Sequence, residues 1–134
     1  MTQNGILDLR RVRTLTLIFG LFILWVIYQA NTHPSNLLIA IVQTIPFGDK
    51  VGHAVLYGLL TLGVNASSRF RTVRFGSLEC YLGTLAVTVF AGVEELSQIT
   101  IPSRTWDSSD LVADAVGIAG FTVLSALWEQ RSRR

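Results

Sequence analysis

A chain of 134 residues is one domain's worth of protein, and this one is half apolar and only 15% charged, where soluble domains carry about a quarter charged residues. The formal charge of +2, with basic residues not interleaved with aromatics, excludes a nucleic-acid footprint. The single cysteine, Cys80, excludes an internal disulfide and a cysteine metal cluster.

The charges are unevenly spread. None lies between Arg13 and Asp49, between Lys50 and Arg69, between Glu79 and Glu94, or between Asp114 and Glu129. A bilayer core of about 30 Å is crossed by about 20 helical residues, with roughly 17–25 tolerated. The pattern predicts an all-α, polytopic membrane protein with four transmembrane helices, at about 14–30, 51–67, 75–99 and 111–128. A short interfacial helix is expected at about 35–45, and 1–134 forms a single domain.

In chain order, Arg10, Arg11 and Arg13 precede the first apolar run, and no small-x-small cleavage site follows "WVIYQANTH". A retained helix is therefore expected rather than a signal peptide. Next, Pro34 and Pro46 bound a segment too short to cross a bilayer. Ser35 or Asn36 suits its cap, and Leu37, Leu38, Ile41, Val42 and Ile45 share one face. Such a helix lies on the outer surface, either as a plain apolar linker or as a lid over what lies beneath. Arg69, Arg71 and Arg74 fill the link between the second and third spans, and Arg131, Arg133 and Arg134 follow the fourth. The positive-inside rule then places the chain in the cytoplasmic membrane with both termini cytoplasmic. Small residues such as Gly58, Gly83, Ala91, Gly117 and Gly120 suit close helix packing in lipid.

Counting about 20 residues, one crossing, from each arginine cluster brings Asp49, Lys50, Glu94, Glu95 and Asp110 to one level, the outer boundary. His53 and Asp114 fall about a turn deeper. Asp49, Glu94, Glu95, Asp107, Asp110 and Asp114 gather there against the fixed positive charges of Lys50 and Arg104 alone. Spacing puts Asp49, His53 and Tyr57 on one helical face, Glu94, Glu95 and Gln98 near another, and Asp107, Asp110, Asp114 and Gly117 on a third. A carboxylate at the bilayer centre costs about 2.5–3.5 kcal/mol on insertion scales, less near the interface. Facing stripes offset that cost by pairing or by holding a cation, which predicts one shared polar pocket open to the outer face. Towards the cytoplasm, Asn65, Glu79 and Tyr81 are too sparse for a continuing polar path.

The segments "DKVGHAVLY", "EELSQITIPSRTWDSSD" and "LVADAVG", in this order over about residues 49–120, resemble the VanZ-like family of small membrane proteins. The resemblance implies a bacterial envelope protein; the founding member is associated with resistance to the glycopeptide teicoplanin. It supplies no established mechanism.

Three functions remain open. The pocket binds an envelope lipid, a cell-wall precursor or a glycopeptide-type ligand through Asp49, Lys50, Tyr57, Gln98, Arg104, Asp110 and Asp114. Alternatively it is an enzyme acting on an outer-leaflet, lipid-linked substrate. Glu94 and Glu95 then share a proton as acid and base, with His53 as partner and Lys50 and Arg104 holding an anionic headgroup. No cofactor is identified, although one histidine among carboxylates suits a divalent cation such as Mg, Mn or Ca. In the third reading the charges pair off and only lock the helices. Whether the protein is an enzyme is left undecided by the residues alone.

Overall fold

Helix α1, Gln3–Thr32, opens the chain in the computed structural model, which describes residues 3–133; Arg134, expected in the last basic cluster, lies outside the described residues. The apolar run carries this helix without a break until Pro34, whose ring disfavours helix in the residue before it. Helix α2, Leu37–Thr44, follows at the expected place, and Asn36 caps it, its side chain accepting from the Leu38 N–H at 3.1 Å. Pro46 ends it in the same way, and Phe47, at φ 57°, turns the chain into α3, Gly48–Ser67.

Helix α3 stops in a Schellman motif. The Phe70 N–H donates to the Asn65 carbonyl at 2.8 Å and the Arg69 N–H to the Ala66 carbonyl at 3.0 Å. Arg69, at φ 58°, occupies the left-handed position where glycine is usual. The next segment departs from expectation. Strands β1, Thr72–Phe75, and β2, Leu78–Tyr81, form an antiparallel hairpin with Thr72 opposite Tyr81 and Phe75 opposite Leu78. Gly76, at φ 60°, leads the two-residue loop, the position at which a II′ turn uses glycine. Helix α4 therefore runs only over Leu82–Ser97, and a 3-10 turn, Gln98–Thr100, closes it. Helix α5, Ser108–Ser132, starts at Asp107, whose side chain accepts from the Ser109 N–H at 2.9 Å.

The expectation of an all-α chain with four crossings is thus corrected. Among the described residues two helices are long and apolar enough to cross a membrane, Leu9–Thr32 and Ser108–Ser132, and a strand pair is present. The 16 residues of α4 reach about 24 Å, short of a hydrocarbon core of about 30 Å, because the hairpin takes the start of the expected third span. The 20 residues of α3 have the length, but Asp49, Lys50, His53, Thr61 and Asn65 dilute its apolar content.

Helix α3 is central, packed most extensively on α5, with α1 and α4 against its other sides. The approach to α5 is a backbone contact: a Cβ built on Gly117 would lie 2.7 Å from the Ala54 carbonyl carbon and overlap its oxygen. Gly83 of α4 comes equally close to α3, where a Cβ would lie 2.7 Å from the Asn65 nitrogen.

Ile23, Tyr57, Leu60, Val87, Ala91 and Ile118 form a buried apolar layer. The largest fully buried side chains are nevertheless polar: Gln98, Glu95, Asn65, Thr61, Asp114 and Ser125. Outside, Leu17, Leu21, Val89, Val93, Val112 and Val123 are all exposed.

Contacts at the two ends of the bundle set its polarity. At one end the Arg13 Nε donates to the Ser67 carbonyl at 3.1 Å, Phe70 meets Tyr81 and Trp128 edge-on, and the Tyr81 hydroxyl donates to Glu129 at 2.7 Å. The arginines at 10–13, 69–74 and 131–133 belong to this end. At the other, the Ser103 hydroxyl ties the loop before α5 to the Asn31 carbonyl at 2.7 Å.

Gly117→Ala should destabilise the fold by about 1–3 kcal/mol, the usual cost of forcing backbone apart in a packed interior, whereas Gly120→Ala, with open space around it, should be neutral or stabilising. Thermal unfolding of the two purified variants in one detergent checks the contrast.

Candidate functional site

Because α3 and α5 touch at Ala54 and Gly117, the residues one and two turns before them face one another. Lys50 is the outermost. Its ammonium donates to Asp107 at 2.7 Å, to its neighbour Asp49 at 3.3 Å and to Asp110. Burial disfavours the charged lysine, but hydrogen bonds to Asp107 and Asp110 outweigh it and raise its pKa. The Lys50 ammonium in turn holds the Asp107 carboxyl well below the usual carboxylate range, helped by the Ser109 N–H. One cation thus ties the first turn of α3 to the start of α5.

A turn deeper, His53 is surrounded by carboxylates from three helices. Its Nδ1 lies 2.9 Å from Asp114 Oδ1 and 3.7 Å from Glu95 Oε1, and its Nε2 lies 4.0 Å from both Asp49 and Asp110. Asp114 and Glu95 are each 1% exposed. The His53 ring stacks on Tyr57 with centroids 6.1 Å apart, and the buried Tyr57 hydroxyl donates to Glu94 at 3.4 Å. The Gln98 amide holds both glutamates, donating to Glu94 at 3.1 Å and to Glu95 at 3.2 Å. The 3-10 turn keeps Gln98 folded back under α4.

Asp49, Lys50, His53, Tyr57, Glu94, Glu95, Gln98, Asp110 and Asp114 therefore meet in one cluster. Arg104 stands apart from it. It comes from the loop before α5, makes no ion pair among the described residues, and faces two adjoining cavities. The larger, about 340 Å³, has apolar walls of Val26 and Ala30 from α1 and Leu38, Ile39 and Val42 from α2, with Asp49, His53, Arg104 and Asp110 on its polar side. The smaller, about 60 Å³, runs from it towards Tyr57 and Glu94. Helix α2 lies across the larger cavity, the position considered for a lid. Glu94 borders the smaller cavity, while Glu95 and Asp114 line neither of the two.

A second polar layer escaped sequence reasoning. The buried Asn65 side chain donates to Thr84 and to Ser125, each at 3.1 Å, and accepts from the Thr84 N–H at 3.0 Å, while the Thr84 and Thr122 hydroxyls pair at 2.8 Å. The signal was the i, i+4 row begun by Asp49, His53 and Tyr57, which continues through Thr61 and Asn65.

Comparison with known protein families, curated proteins and solved structures finds no match for the chain.

Lys50→Met leaves Asp110, buried at 5% exposure, without its cation and should cost about 1–3 kcal/mol, the scale of a charge-assisted hydrogen bond. Adding Asp110→Asn should recover part of that loss, a coupling read by a double-mutant cycle. The acid limb has a definite sign. Asp107 is depressed by folding, so its stabilisation is present above the ordinary aspartate pKa of about 3.9 and is lost as pH falls through the lower folded value. Asp107→Asn should flatten that limb in a pH series of unfolding curves.

Proposed function

We propose that this chain is a VanZ-like protein of the bacterial cytoplasmic membrane that binds an amphiphilic envelope component, a lipid or a lipid-linked cell-wall precursor, at its acid-rich end. The observation that carries this reading is the cavity under α2. One side is built from apolar residues of α1 and α2, and the other presents Arg104, His53, Asp49 and Asp110. At about 340 Å³ it falls in the range of ligand pockets, about 300–1,000 Å³. An acyl or prenyl chain suits the apolar wall. Arg104, which pairs with no carboxylate among the described residues, suits a phosphate or carboxylate, and the aspartates suit the hydroxyl or amine groups of a headgroup.

Membrane residence is supported by the two apolar helices and by the large apolar side chains around the outside, since contiguous exposed apolar surface marks a membrane or partner contact. Orientation follows from charge. With the arginine-rich end cytoplasmic, both termini lie inside and the cavity faces outward.

An enzymatic reading draws on a different observation, the convergence of His53, Glu95 and Asp114 below the cavity. Proton transfer between such groups would act on whatever the cavity holds.

Orientation is tested with Arg71→Cys and Thr105→Cys in a Cys80→Ser background. A membrane-impermeant thiol reagent added to intact cells should label position 105 and spare position 71; the reverse pattern refutes the assignment. Ligand binding is tested by native mass spectrometry of protein extracted from its own membrane. A co-purifying amphiphile is expected in the wild type. Arg104→Gln, and separately Ala30→Phe to fill the cavity, should each reduce retention at least tenfold, equivalent to about 1.4 kcal/mol. Equal retention in all three proteins, or no bound amphiphile in any, overturns the reading, and retention of a glycopeptide instead would redirect it.

A further inference from the structure

We infer that His53, Glu95 and Asp114 form a binding site for one divalent metal ion of the Mn2+ type. The site lies below the amphiphile cavity and stands whether or not that cavity is filled. One donor atom from each of the three residues lies within 4.8 Å of the others. The residues come from α3, α4 and α5, so the site exists only once these helices pack.

Acidic side chains alone do not make a cation site, because carboxyls also gather by hydrogen bonding to one another or to a lysine. The distinguishing feature is the unpartnered oxygens. Glu95 Oε2 and Asp114 Oδ2 are fully buried and have no hydrogen-bond partner among the described residues. The companion oxygen of each is already fixed: Glu95 Oε1 accepts from Gln98 at 3.2 Å, and Asp114 Oδ1 lies 2.9 Å from His53 Nδ1. Each carboxylate is thus positioned by one oxygen and leaves the other without compensation, a costly arrangement for a buried charged group. A single cation between the two helices satisfies both.

Charge points the same way. Lys50 is taken up by Asp49, Asp107 and Asp110. Among the described residues, the inner trio of Glu94, Glu95 and Asp114 pairs with no basic group but His53, and Arg104 shares the smaller cavity with Glu94 without pairing with it. Geometry is also compatible. Metal–donor bonds of about 2.1 Å put neighbouring donors about 3 Å apart and opposite ones about 4 Å apart. His53 Nδ1 lies 2.9 Å from Asp114 Oδ1 and 3.7 Å from Glu95 Oε1, the companions of the unpartnered oxygens, so both carboxyl groups border the space around Nδ1. Binding of the ion replaces the proton that Nδ1 shares with Asp114 Oδ1, and Nε2 then carries the ring proton on the side facing Asp49 and Asp110, each at 4.0 Å, a distance for electrostatic support rather than a direct hydrogen bond.

The donor set selects the ion. Carboxylates favour Mg2+, Ca2+ and Mn2+, an imidazole favours later transition metals, and Mn2+ accepts the mixture. Three protein donors leave coordination positions for water or a ligand oxygen, as in metal sites that act on substrates. His53 borders both cavities, so those positions open towards the space beneath α2.

The test uses the full chain purified in detergent, stripped with a chelator and titrated with MnCl2, with free Mn2+ followed by electron paramagnetic resonance. One saturable site per chain is expected, together with a rise in unfolding temperature on binding. Glu95→Gln and Asp114→Asn should each weaken binding at least tenfold, and Glu79→Gln, on the exposed hairpin, should leave it unchanged. Nitrogen hyperfine coupling to the bound Mn2+ in the wild type and in His33→Gln reports His53 directly and requires no variant of the site. Absence of saturable binding at millimolar Mn2+, equal binding in the carboxylate variants, or bound Mn2+ without nitrogen coupling each overturns the inference. Amphiphile retention is measured separately on the chelator-stripped protein, so failure of the metal site and failure of the ligand reading are told apart.

Discussion

The close approach of α3 and α5 at Ala54 and Gly117 governs most of what surrounds it. Only a residue without a Cβ lets the Ala54 carbonyl lie against the facing backbone, and with the two axes that near, side chains on either side of the contact must meet. Lys50 then reaches Asp107 and Asp110, His53 reaches Asp114, and at the far end Asn65 reaches Ser125. The pairs follow the period of the helices, which is why an i, i+4 row on α3 finds partners along α5. Small-residue packing supplies this proximity where apolar contact between helices gains little, as in lipid.

The interior that results is layered. Acids and His53 occupy one end, amides and hydroxyls the other, and Ile23, Leu60, Val87, Ala91 and Ile118 lie in the apolar layer that Tyr57 joins. Thr61 sits in the same α3 row, but its hydroxyl is satisfied by the Tyr57 carbonyl of its own helix at 2.8 Å. The two polar layers are therefore bridged by backbone satisfaction rather than by a chain of side-chain hydrogen bonds, consistent with a site that opens at one end. The arginine-bearing ends gather at the opposite pole, so the fold separates charge along its length.

Much of the acid cluster was legible because it depends on two regularities, helical period and distance from the arginines. Asp49, His53 and Tyr57, and Asp110 and Asp114, needed only the first; bringing Glu94 and Glu95 to the same level needed the second. The span count exceeds what the structure carries because freedom from charge is not apolar character. Thr61 and Asn65 carry no charge, yet both are polar and fully buried. The hairpin departs from the helical pattern for a related reason: "TVRFGSLECY" alternates about Gly76 and Ser77, a period of two hidden at the start of a long stretch of low charge. Asn65 looked isolated because Thr84, Thr122 and Ser125 are far from it in sequence, and only packing brings them together.

The two shells of the acidic cluster differ in what they contribute to folding. Lys50 satisfies its carboxylates, joins α3 to α5 and sits near the surface, so that shell is explained as an anchor. The inner shell is not. Glu95 and Asp114 are buried, each keeps an oxygen without a partner among the described residues, and replacing such groups with apolar side chains of similar volume is often neutral or stabilising for a fold. Helix packing alone therefore gives no reason for two carboxylates to converge on His53 at that depth. A helix-locking role accounts for Lys50 and its partners, while the inner trio is left with buried carboxylate oxygens that no group among the described residues satisfies, which is the feature the proposed cation would meet.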